Sequence, residues 1–150
     1  MTHLGQPGAI DQLLDRLGRL TPDSTRQWGR MSSHEMLCHL ADSYRACLGE
    51  REVSHAQTWM MRHIGKRIAL RTAMPWPKDL PTRPEVNTLE RGSKPTTFEH
   101  DRAAVVELVQ RFANPDVRFT QHPVFGTMSR EDWLIWAWKH PDHHLRQFGL

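Results

Sequence analysis

The chain has 150 residues, 38% of them hydrophobic and 25% charged, and carries a formal net charge of +3. It is long enough to bury a core over one expected domain, 1–150, and its composition excludes a disordered chain. No apolar run approaches a bilayer span, and residues 1–8 lack a basic stretch followed by an apolar one, so the expectation is a cytoplasmic protein with no membrane partner.

Residues 1–7 read as a loose arm. From 9 to 20, Ile10, Leu13, Leu14, Leu17 and Leu20 recur at helical spacing opposite Asp11, Asp15 and Arg16, and Thr21-Pro22 ends the helix this predicts. Ser32 followed three positions later by Glu35 is a capping box. It opens a second helix running to about Leu48, with Gly49 suited to the position just beyond the end. That helix carries Met36, Leu37, Leu40, Tyr44 and Cys47, together with His39. Cys38 and Cys47 would lie on near-opposite faces of it, too far apart for a disulfide, and read as reduced, buried thiols.

Residues 55–73 predict a third helical stretch, apolar at Trp59, Met60, Met61, Ile64, Ile68, Ala69 and Leu70 and basic at Arg62, Lys66, Arg67 and Arg71. Pro75-Trp76-Pro77 stops it. The irregular segment 75–97 has the length of a functional or poorly ordered loop. Residues 98–113 predict the next helix, with Thr97 as its N-cap and Val105, Val106, Leu108, Val109 and Phe112 facing inward. Ser129 with Asp132 opens the last helix. Trp133, Trp136 and Trp138 on that helix cannot share one face, so at least one is expected to be partly exposed or at an interface. No useful strand-like alternation is present. The fold class is therefore all-α: an antiparallel four-helix bundle with an extra helix and a long loop between bundle helices two and three.

The chemistry concentrates at the end of the last helix. His140 and His144 stand at i, i+4 spacing with His143 beside them, and neutral imidazoles so spaced can chelate a divalent cation. Such a site needs a third protein ligand. Spacing alone does not choose it among His34, His39, His63, His100 and His122. The plainer reading is that these histidines are solvated, or that they cap the last carbonyls. His34-Glu35 is not the start of a zinc-protease motif, because Cys38 stands where the second histidine would be. Asp42 and Gln147 are candidates for hydrogen bonds that orient ligand imidazoles, with a surface acid and a helix-end amide as the bland alternatives. His122 reads first as a loop residue. Arg146 offers an anion contact or a solvated end. The basic helix 62–71 supports a rival reading, an anion or nucleic-acid binding module, but no nucleic-acid motif accompanies it and a solvated face is the usual explanation.

Two motifs select among these. WGRMSSHEMLCHL, continued by Ala41-Asp42-Ser43, and HPDHHLRQFG near the other end resemble the second-helix start and the last-helix His-x-x-His-His-Leu-x-Gln signature of the DinB/YfiT-like superfamily. HPVFGTMSREDW joined to HHLRQFG is most similar to an uncharacterised bacterial branch of it. The resemblance implies a four-helix bundle holding one divalent metal on His39, His140 and His144; Asp42, His143 and Gln147 stand beside these as candidates for supporting roles. Zinc is the first expectation, nickel and iron the alternatives. It implies either a metal-dependent hydrolase or a transferase using a low-molecular-weight thiol such as mycothiol or bacillithiol, a small-molecule substrate and a homodimer; a non-catalytic bundle is the alternative. Pro141 departs from an uninterrupted helix. It should free the Ala137 carbonyl and kink the chain between the paired histidines, which makes His143 the substitute ligand.

Overall fold

The leucine spacing near the N-terminus becomes helix α1 (Ala9–Arg19), which buries Leu13 and Leu17 completely. Four more α-helices follow: α2 (Ser33–Cys47), α3 (Lys66–Arg71), α4 (Phe98–Ala113) and α5 (Arg130–Gln147). The computed structural model describes residues 2–150, and among them the only β-type pairing is an isolated bridge between His122 and Gly126. Helices α1, α2, α4 and α5 pack on one another around one cluster of buried side chains. Each fully buried leucine in it contributes about 1.5–3 kcal/mol relative to exposure.

The predicted starts are built as their chemistry requires. The Ser32 hydroxyl accepts from the Glu35 N–H at 3.2 Å while the Ser32 N–H donates to the Glu35 carboxylate at 2.7 Å. Ser129 and Asp132 repeat the exchange at the head of α5. Thr97 caps α4 through the His100 N–H. Gly49, just beyond α2, adopts φ 80°, a left-handed conformation that a side chain would strain.

Three expectations change. The first residues are not a loose arm: Leu4 is buried, and its N–H donates to the Leu134 carbonyl at 3.2 Å. Trp133, Trp136 and Trp138 are all buried. They do point in different directions, but α5 is enclosed on several sides, by α1, α2, α3 and α4, so no exposed indole remains on it. The third helical stretch begins at Trp59 and not at residue 55, and its first full turn, Met61–Gly65, is a π-helix leading into α3. In this stretch only Leu70 is fully buried, while Trp59, Met60, Ile64 and Ile68 face solvent.

The long segment between α3 and α4 is fastened to α2. Asp42, fully buried, accepts from the Ser93 N–H at 2.7 Å, the Ser93 hydroxyl at 2.8 Å and Arg51 Nη1 at 3.1 Å. Arg51 also donates to the carbonyls of Glu85 and Arg91, at 2.8 and 3.0 Å. These bonds seat the short 3-10 turn Pro84–Val86 against α2.

Pro141 does not end α5, which runs on through it to Gln147. The Ala137 carbonyl it frees accepts the Tyr44 hydroxyl at 2.6 Å, so a side chain of α2 supplies the missing donor.

Candidate metal centre

His39 comes from the middle of α2, and His140 and His144 from successive turns of α5. All three are buried, and each offers a ring nitrogen within 4.8 Å of the others. Their ring centroids lie 4.7–5.1 Å apart. Nε2 of His39 and Nε2 of His140 are separated by 3.2 Å. Two nitrogens bound to a tetrahedral zinc at ~2.0–2.1 Å would be about 3.3 Å apart. The three histidines could therefore hold a metal ion.

Surrounding groups fix which nitrogen is free on two of the three rings. His39 donates its Nδ1–H to the Val86 carbonyl at 2.7 Å, leaving Nε2 with a bare lone pair. Gln147 donates its amide N–H to the Trp28 carbonyl at 2.6 Å, which turns Gln147 Oε1 toward His144 Nδ1 at 3.1 Å. His144 thus donates from Nδ1 and also keeps Nε2 free. His140 Nδ1 is buried without a partner, the kind of unmet polar group found at sites built for something else. Burial is the largest cause lowering the pKa of His39, His140 and His144, and neighbouring imidazoles add to it for His140 and His144. The neutral imidazole is the metal-binding form.

Of the surrounding residues named by the sequence, Gln147 touches a ligand imidazole and Asp42 does not. Asp42 acts at one remove: it ties down the loop that carries the Val86 carbonyl. His143 stays at the edge, half-buried, its ring 5.1 Å from His144 and outside the three-nitrogen cluster. His34 is bound to Asp101 at 2.8 Å, away from the cluster. The basic helix is partly spent internally: Lys66 donates to the Thr127 carbonyl, and Arg71 pairs with Glu131 and Asp132.

Several participants carry no sequence signal. A backbone carbonyl such as that of Val86 is invisible in a pattern of side chains. Trp76 reads only as part of a proline-flanked stop, yet its ring lies 5.8 Å from that of His140. His122 is buried, and its Nδ1 accepts the N–H groups of Val124 and Phe125, each at 3.1 Å.

Two outcomes are expected. Gln147→Leu should weaken zinc binding about 10–100-fold by freeing the His144 ring, as loss of an orienting partner does. Competition with a chromophoric chelator measures this, and an unchanged affinity would show that Gln147 orients nothing. Gly29→Ala should act in the same direction, because a Cβ there would collide with the Gln147 amide nitrogen and Gly29 sits at φ 79°.

The second concerns acid. His39, His140 and His144 are held below the usual histidine range, and burial pushes His122 down to about 3. The unfolded chain, with histidines titrating near 6.5, binds more protons than the folded one below that value. Stability of the metal-free protein should therefore be full above about pH 6.5 and fall as pH drops from there toward the depressed values. Urea unfolding at a series of pH values tests this; a midpoint that stays flat or rises on acidification contradicts it.

No curated protein matches the chain, and no solved structure matches it. One family model does, over residues 6–149, which is nearly the whole chain. With all three histidines inside the matched span, the chain belongs to the family described as a protein of unknown function, DUF1569.

Proposed function

We propose that this protein is a divalent-metal protein of the DinB/YfiT-like kind. In this reading α1, α2, α4 and α5 are the antiparallel four-helix bundle and α3 is the extra helix. The observation that carries it is the convergence of His39, His140 and His144, with the Nδ1 atoms of His39 and His144 engaged as donors so that their Nε2 atoms carry the lone pairs. Zinc fits three imidazole nitrogens best, and nickel or iron would accept the same donors. Three protein ligands leave room for a further one, as in catalytic sites. A divalent cation held this way supplies a Lewis acid that lowers the pKa of a coordinated water or thiol. The Val86 carbonyl and the Gln147 amide hold the imidazoles in one orientation, and the buried surroundings keep them neutral.

The activity proposed is hydrolysis or thiol transfer on a small molecule in the cytoplasm. Homodimer formation belongs to the same proposal, but the tryptophans of α5 lend it no support, since all are buried within the chain. The rival nucleic-acid reading is weakened by the internal bonds of Lys66 and Arg71.

Cobalt-substituted protein titrated with a low-molecular-weight thiol separates the two chemistries. Thiol transfer predicts a sulfur-to-cobalt charge-transfer band in the near ultraviolet. Hydrolysis predicts no band, and cleavage of activated esters that disappears in His39→Ala. Bound cobalt with neither result would make the metal structural.

A further inference from the structure

Three sides of the histidine cluster are closed. The Val86 carbonyl backs His39, the Gln147 amide backs His144, and the buried Trp136 ring lies 4.8 Å from that of His140. Of the rings outside the cluster that touch it, only Trp76 and His143 are partly exposed. These two rings mark the edge of the cluster that is nearest to solvent among its aromatic neighbours.

The segment that forms this edge is fastened in place. Lys139, one residue before His140, donates from Nζ to the carbonyls of Ala69, Thr72 and Met74, at 2.8, 2.9 and 3.3 Å. Trp76 donates its indole N–H to the Ala69 carbonyl at 2.9 Å. These bonds hang the chain after α3 on α5, with the Trp76 ring 5.8 Å from His140 and 6.0 Å from His143. Trp28 also contacts the His143 ring, at 6.1 Å, and the Lys78 ammonium lies 4.6 Å from the centre of the Trp28 ring.

Lys78 has no ion pair among the described residues, and no Asp or Glu occurs from residue 53 to residue 78. Asp142, next to His143 on α5, is held by Arg16 at 2.7 Å and Arg146 at 3.0 Å. Asp79 adjoins Lys78 in sequence and forms no ion pair with it. An ammonium resting on an aromatic face is held by only about 0.5–1 kcal/mol at an exposed position, so it can turn to an incoming anion.

The geometry points to this edge as the substrate entrance, selecting small molecules with a flat apolar body and an anionic group. The body would lie against the indole of Trp76, the anion on Lys78, and the reacting group would reach the histidines. This rests on the metal reading above, and the following experiment separates the two.

Zinc-loaded protein is titrated calorimetrically with 2-naphthoate, 2-naphthamide and acetate, first as wild type and then as Lys78→Met and Trp76→Leu. Both variants replace partly or fully exposed side chains, and zinc stoichiometry shows that each retains the site. Wild type should bind naphthoate about tenfold more tightly than either naphthamide or acetate, as one charge-assisted contact and one aromatic contact predict. Lys78→Met should erase the preference for naphthoate over naphthamide without weakening naphthamide. Trp76→Leu should weaken both aromatic probes alike. Equal binding of the two aromatic probes to wild type overturns the inference. So does a naphthoate preference that survives Lys78→Met, which would mean that the carboxylate binds the zinc directly. Failure to load zinc at all overturns the metal reading and this inference with it.

Discussion

His140→Ala should cost the protein its zinc while leaving it folded. A site with three protein ligands shares a binding free energy of roughly 10–16 kcal/mol, so losing one ligand lowers affinity by at least about a hundredfold. His39→Ala and His144→Ala should do the same to the metal, but the folded metal-free proteins should differ. His140 has a buried Nδ1 with no partner, so alanine removes a polar liability along with the ring, and the one polar contact it breaks, to Nε2 of His39, is broken in His39→Ala as well. His39→Ala instead strands the Val86 carbonyl, and His144→Ala strands the Gln147 amide oxygen. Each stranded buried acceptor costs about 1–3 kcal/mol. Elemental analysis of untagged variants after reconstitution, paired with urea unfolding of the metal-free forms, reads both effects. His143→Ala should keep full zinc stoichiometry. Zinc loss in His143→Ala with retention in His140→Ala would show that Pro141 has handed the ligand role to the neighbouring histidine.

Tyr44→Phe should destabilise the fold by about 1–3 kcal/mol, more than removing one hydroxyl usually does. The ring is fully buried against Phe112 and Trp136, and phenylalanine keeps that packing. What it loses is the donor to the Ala137 carbonyl, which Pro141 has deprived of its helical partner. A double-mutant cycle isolates this. In Pro141→Ala the backbone N–H of residue 141 can bond to the Ala137 carbonyl, so the same Tyr44→Phe change should cost markedly less. Equal costs in both backgrounds would mean that the hydroxyl and the proline are unrelated. Because His140 and His144 flank Pro141, Tyr44→Phe should also loosen zinc binding, whereas a core change far from α5 should not.

The histidine pair and both capping boxes were legible because they depend on residue type at fixed local spacing. Ser32 with Glu35, Ser129 with Asp132, and Thr97 all appear where the helices begin. The effect of Pro141 was half legible. Its missing N–H predicts an orphan carbonyl, but nothing local shows that Tyr44, some hundred residues earlier, supplies the donor. The enclosure of all three tryptophans on α5 was likewise hidden. A helical wheel shows only that they diverge, and which neighbours cover each face depends on how α1, α2, α3 and α4 surround α5. Asp42 illustrates the same limit. It adjoins the site in sequence pattern, yet it serves the loop bearing Ser93 and Val86, and through it the orientation of His39. Tertiary hydrogen bonds to backbone carbonyls carry no side-chain signature on the accepting residue.

In the proposed site, three imidazoles from two helices hold one divalent ion with a position left open. X-ray absorption spectroscopy at the zinc edge of reconstituted wild-type protein tests it most directly. The expected spectrum shows three histidine nitrogens with their outer-ring scattering and one or two further light ligands, falling to two imidazoles or to no bound zinc in His140→Ala. Absence of stoichiometric zinc after reconstitution, or a bound ion showing no imidazole scattering, would contradict it.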